Sequence, residues 1–116
     1  MKSVTLPWPP SALSPNARVH WAAKARIAAK VRKDACYLCQ GACVRALPWD
    51  RMHVAIEFQP ASARRYDLDN AVARCKSLLD GLSDATGIDD SRWTLALSRG
   101  PVVKGGAVII TVSEAQ

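Results

Sequence analysis

From Met52 to Phe58 the large apolar side chains fall at every second position: Met52, Val54, Ile56 and Phe58, separated by His53, Ala55 and Glu57. A period of two is the signature of a strand with one face turned to a core. Further along the chain the period changes. Ala71, Val72, Cys75, Leu78, Leu79 and Leu82 recur at helical spacing, so residues 70 to about 83 are predicted to form a helix with a leucine face. A one-faced strand next to a one-faced helix defines a layered domain in which helices cover a sheet.

The other segments fit that frame. Lys2 to Leu6 reads as a short strand, stopped by Pro7-Trp8-Pro9-Pro10. Residues 11–18 form a Ser-, Pro- and Asn-containing loop. Alanine-rich sequence from about His20 to Gln40 reads as a long helix, with Gly41 as its terminator. Pro60 to Arg65 is a polar, basic loop, and Thr86 to Asp90 is another loop. Trp93, Leu95 and Leu97 alternate as a third strand, and Ala107 to Val112 is a fourth after the Lys104-Gly105-Gly106 turn. The expected order is β-α-β-α-β-β: an α+β fold, with one mixed sheet packed by two helices. At 116 residues the chain holds one domain, residues 1–116, with room for a single core.

Charge is unevenly placed. Residues 1–47 hold eight bases and one acid, a net of +7; residues 48–116 hold eight bases and nine acids, a net of −1. A basic half beside an acidic cluster suits a polyanion-binding surface next to a metal site. Arg26, Lys30 and Lys33 recur at i, i+4 and i+7 and form a basic stripe on the first helix, either a DNA-backbone contact or a solvated face. No segment is long and apolar enough to span a bilayer, and the start does not look like a signal peptide, so a cytoplasmic location is expected. Cys36-x-x-Cys39 invites a zinc reading. Cys36, Cys39 and Cys43 lie on a helical stripe, however, which favours a small-residue packing face. His20 and His53 stand alone and read as structural.

The chemistry concentrates at Tyr66-Asp67-Leu68-Asp69-Asn70. If the backbone is extended there, Asp67 and Asp69 point the same way, just before a helix that Asn70 or Asp69 can cap. Two close carboxylates repel unless a cation sits between them, and hard oxygen donors suit Mg²⁺ or Mn²⁺. The plain alternative is a capping turn. A strand starting near Arg92 would return Asp90 to the same place, giving three metal-binding carboxylates. Lys76 and Asp80 come next on one side of the helix, where Lys76 can face a scissile phosphate or simply pair with Asp80. Arg64 and Arg65 stand directly before the acids, ready to hold phosphates or to offset their charge.

Taken in order, Leu6-Pro7-Trp8-Pro9-Pro10-Ser11, Ser14-Pro15-Asn16-Ala17-Arg18, Asp67-Leu68-Asp69-Asn70, Leu79-Asp80-Gly81-Leu82, Ile88-Asp89-Asp90 and Val103-Lys104-Gly105-Gly106 resemble the RusA-type crossover-junction endodeoxyribonucleases. These are bacterial and prophage Holliday junction resolvases. The resemblance implies a homodimer that binds four-way DNA junctions and makes paired, symmetric nicks with Mg²⁺ or Mn²⁺. It implies catalytic acids at Asp67, Asp69 and Asp90, with Asp89 as the fallback for the third, and adds Asn16 and Arg18 to the expected DNA contacts. The family's lysine position, three residues after the asparagine, is Ala73 here; Lys76, one turn further, is expected to replace it. A DNA-binding module of the same fold with little or no cleavage, and a nuclease without branch preference, are the competing readings.

Overall fold

In the computed structural model, which describes residues 1–116, four strands form one mixed sheet: β1 (Lys2–Pro7), β2 (Met52–Gln59), β3 (Trp93–Arg99) and β4 (Ala107–Glu114). Their order is β1-β4-β2-β3, with β1 and β2 antiparallel to β4 and β3 parallel to β2. The alternation is realised as a two-sided register. Val54 stands opposite Val112, Ile56 opposite Ile110 and Phe58 opposite Val108, while Val4 meets Ile110 and Leu6 meets Val108; all are buried. The opposite face is polar and stitched by side-chain hydrogen bonds: Ser3 to Thr111 at 2.8 Å, His53 Nδ1 to Thr94 at 2.6 Å, and Gln59 donating to Glu57 at 2.7 Å. One face of the sheet is therefore core and the other faces solvent, the usual economy of a sheet with antiparallel pairs.

Helices cover the core face. The first, α1 (Trp21–Gly41), begins where His20 accepts the amide of Ala22 on Nδ1 at 3.2 Å, so His20 is a helix cap, and His53 is a cross-strand partner. The expected second helix is two: α2 (Leu68–Arg74) and α3 (Lys76–Thr86), broken at Cys75. The sheet is thus packed by three helices instead of two. The break is invisible in the hydrophobic period because Ala71, Cys75, Leu78 and Leu82 all remain buried on either side of it. Neither glycine nor proline marks it. α3 ends as Gly87 takes a left-handed conformation at φ 77°, which costs a glycine little.

The α1–α3 contact fixes the helical layer. A Cβ on Gly81 would lie 2.5 Å from the Arg32 carbonyl oxygen and 2.7 Å from the Ala35 Cβ, so the helices approach to backbone contact. Beside this crossing Arg32 grips Asp84 with two bonds, Nε at 2.7 Å and Nη2 at 2.9 Å, which holds the Asp84 carboxyl below its ordinary range. The α1 stripe that is buried runs through Ala35 and Cys39, flanked by Val31 and Cys36, whereas Leu38 is 44% exposed. The cysteines are all free thiols, and Cys39 and Cys75 are core residues. No helix is long and apolar enough to cross a membrane.

This packing can be tested in two ways. On an open helix Gly→Ala gains about 1 kcal/mol; Gly81→Ala should instead destabilise the fold by about 1–3 kcal/mol, read from the urea midpoint, because the added methyl overpacks the crossing. Burial pushes the Cys39 thiol up to about 11 and Cys75 up to about 12. At pH 8 iodoacetamide should therefore label exposed Cys43 and spare Cys39 and Cys75 until denaturant is added, as intact mass would show.

Candidate functional site

The backbone at the aspartate pair is not extended throughout. Asp67 is the N-cap of α2, with β-region φ −92° and ψ 137°, while Asp69 is already inside the first helical turn. The helix starts at Leu68, two residues earlier than the apolar period suggests, so the cap is Asp67 and neither Asn70 nor Asp69. Asn70 reaches back instead, its Nδ2 donating to Asp67 Oδ2 at 3.4 Å. Asp67 is extended and Asp69 helical, so the strand rule that sends side chains two apart the same way does not apply to the pair.

β3 does begin just after Arg92, but it runs parallel to β2. Asp67 comes after the end of β2, and Asp90 precedes the start of β3, so α2 and α3 separate them along the crossover. As a result no three His, Cys, Asp or Glu side chains converge on one point. Of the three acids expected around one spot, Asp67 is the N-cap of α2, Asp69 lies in its first turn, and Asp90 follows α3.

Asp90 lies in a 3-10 turn (Asp90–Arg92) and lines a cleft of about 300 Å³ with Val72, Ala73, Lys76, Leu79, Asp80, Trp93 and Leu95. Asp89 does something else: its carboxylate caps that turn, accepting the Ser91 amide at 3.0 Å, and this bond holds its carboxyl below the ordinary range. Of the two neighbours, Asp90 is therefore the one free to face the cleft. The family's lysine position, Ala73, and its expected replacement, Lys76, line the same wall. Lys76 Nζ lies 3.5 Å from Asp80, three-quarters exposed, so the pair is loose and weakly held. Asp69 stands one helical turn before Ala73 on that side of α2.

The ten acids sort by what holds them. Asp34, Asp50, Asp80 and Asp84 pair with cations, Glu57 accepts from Gln59, and Asp89 caps its turn. Six acids have no cation within 4 Å: Glu57 and Asp89 accept other hydrogen bonds, Glu114 ends β4, and the remaining three are Asp67, Asp69 and Asp90. All three are exposed. As donors they fit a hard divalent cation: carboxylate oxygens not committed to a protein cation. They do not form a ready-made cage.

Cations surround this region on two sides. Arg64 and Arg65 line a polar recess with Tyr66, Asp67 and Arg99. On the other side a groove of about 370 Å³ runs from Leu13 and Pro15 past Lys24 and Ala28 of α1 to Arg74 and Lys76. Arg74 is structural: its Nε donates to the carbonyls of Pro9 at 2.9 Å and Pro10 at 3.1 Å, tying the proline segment to α2. Asn16 and Arg18 sit in the loop beyond Pro15, Asn16 exposed and Arg18 at its far end. The α1 stripe is less free than its spacing suggests, since Lys30 is bound to Asp34 at 2.6 Å and Lys33 lies 5.9 Å from the Tyr37 ring centre; Arg26 has no such partner. Two further cations line these surfaces without standing out in the sequence, Lys24 and Arg99. Lys24 falls outside the Arg26, Lys30 and Lys33 spacing on α1, and Arg99 has no local signal either.

No family model matches the chain. It is 39% identical, over 117 aligned positions, to an uncharacterized protein of Xylella fastidiosa (strain Temecula1), with 97% of this chain and 76% of that protein covered. At that identity and coverage, the chain belongs to the same family as the Xylella fastidiosa protein.

Proposed function

We propose that the chain is a RusA-like, divalent-metal-dependent endodeoxyribonuclease that cuts branched DNA in the bacterial cytoplasm. The observation that carries this reading is the charge distribution around α2. In a chain with sixteen bases, Asp67, Asp69 and Asp90 are left without a cation, while Arg64, Arg65 and Lys76 stand close by. A surface that only bound DNA would gain nothing from bare carboxylates beside its phosphate contacts.

Asp67, Asp69 and Asp90 are the residues that would hold Mg²⁺ or Mn²⁺, which supplies Lewis-acid polarisation of the phosphodiester and an acidified water. The chain's own groups do the remaining work. Arg64 and Arg65 would hold backbone phosphates beside the cut. Lys76, on the cleft wall with Asp90, would stabilise charge on the departing oxygen. Asn16, Arg18, Lys24 and Arg26 would carry DNA away from the cut along the α1 side.

β3 supports the homodimer. It is an edge strand, and Leu95 and Leu97 on its helix-side face are 50% and 40% exposed. A second copy continuing the sheet at β3 would cover them and satisfy the free edge. Leu95→Asp with Leu97→Asp should convert a dimer to a monomer in sedimentation; a wild-type monomer at tens of micromolar would remove the dimer. A binding-only module is favoured by one observation, the alanine at position 73 where the resembling family carries its lysine.

Activity decides between them. With a synthetic four-way junction and Mg²⁺, wild-type protein should make symmetric nicks that EDTA stops, and spare a linear duplex of matching sequence. Asp69→Asn and Asp90→Asn should abolish nicking, and Lys76→Ala should slow it by about 100-fold without weakening junction binding. Metal-dependent cutting of both substrates would point to a general nuclease, and tight junction binding without any nicking would point to the binding module.

A further inference from the structure

β3 carries Trp93, Leu95, Leu97 and Arg99 on one face, because Arg99 is in register with buried Phe58. At the end of that row the strand leaves the core, and Arg99 turns over Tyr66 from the loop after β2. Its guanidinium carbon lies 4.6 Å from the Tyr66 ring centre, and Nη1 donates to the Tyr66 carbonyl at 3.0 Å. Tyr66 is itself held from below by Trp8, edge-on at 5.8 Å, and Trp8 is held in turn by Phe58 at 6.0 Å. Arg99 is therefore an arginine fixed in place by stacking and one hydrogen bond, on a stack that reaches down to the core.

Four of its five N–H donors remain unused in the protein. No carboxylate lies within 4 Å of it, nor of Arg64 or Arg65. The three arginines line one recess of about 370 Å³ with Pro60, Ser62, Tyr66 and a single acid, Asp67. Three cations against one carboxylate leave two positive charges uncompensated in a concave, polar site. A planar guanidinium presents paired donors that match two oxygens of a phosphate.

We propose that this recess is a phosphate-binding site, with Arg99 as its fixed donor and Arg64 and Arg65 closing over it, and that its ligand is a phosphodiester of the DNA backbone beside Asp67. The identity of the ligand rests on the nuclease reading above; the anion site rests on the recess alone. Arg99 thereby sets the strand's position at the aspartate, and the bond to the Tyr66 carbonyl couples that position to the residue directly before Asp67.

Fluorescence anisotropy with a labelled four-way junction in EDTA, across a salt series, measures the effect without cleavage. Arg99→Ala should weaken binding about tenfold or more and lower the slope of log affinity against log salt by about one. Arg99→Lys should restore the slope but not the full affinity. In parallel, inorganic phosphate should shift the Arg99 side-chain Nε–H resonance of the wild-type protein at millimolar concentration. If wild type binds the junction and Arg99→Ala leaves the salt slope unchanged, Arg99 is only a strap on Tyr66 and the proposal falls. If the junction is not bound but phosphate shifts Arg99, the anion site stands and the DNA reading fails. If phosphate moves nothing at Arg99, the site is wrong whatever the protein cuts. The Arg99→Lys variant and the wild-type titration keep the test intact should Arg99→Ala not fold.

Discussion

The parallel pairing of β2 with β3 governs where every candidate group lies. Strands that run the same way cannot be joined by a hairpin, so the chain must cross over, and here it does so through α2 and α3. That crossover sets Asp67 at the end of β2 and Asp90 at the start of β3, with a helical segment between them. It also leaves β3 at the sheet margin, where its row of Trp93, Leu95, Leu97 and Arg99 is covered by helices only at the Trp93 end. The clefts on this side of the molecule exist because α2 and α3 reach β3 incompletely.

The α1–α3 crossing makes that arrangement rigid. Gly81 brings the backbones together, Arg32 and Asp84 clamp the crossing beside it, and Arg74 ties α2 to the carbonyls of Pro9 and Pro10. Both prolines lie beyond the end of β1, so their carbonyls are outside the sheet ladder; Arg74 gives Pro9 a partner and joins the Leu13 amide on Pro10. The leucine cleft beside Asp90 and the arginine recess beside Asp67 are thus built on two sides of a helix that is anchored independently of either.

The features legible in the residues alone are those that repeat with a period. β2 and β4 bury the face their alternation marks, α1 spans nearly the residues its alanine-rich pattern covers, and strands and helices follow in the expected order except that the second helix is two. The failures are of three physical kinds. The break at Cys75 preserves the phase of the buried stripe, so no pattern reveals it. Leu95 and Leu97 alternate like core residues, but an edge position leaves them exposed, and strand order is not written in one strand. The extended reading of Asp67 to Asp69 fails because a helix begins one residue after Asp67, a boundary decided by its cap geometry. Arg99 is hidden for a fourth reason: its meaning depends on Tyr66, 33 residues away, and on a register set by the parallel pairing.

Arg64 and Arg65 lie two or three residues from Asp67, where an exposed pair would gain little over the entropy of holding two side chains together. Instead Asp67 is engaged by the neutral amide of Asn70, and the arginines open onto a recess. An ion pair would have satisfied both signs and closed the surface. Leaving both open sets a carboxylate and guanidinium groups side by side with no ion pair between them. The proposed ligand, a phosphodiester with its counter-cation, would carry that same juxtaposition of charge.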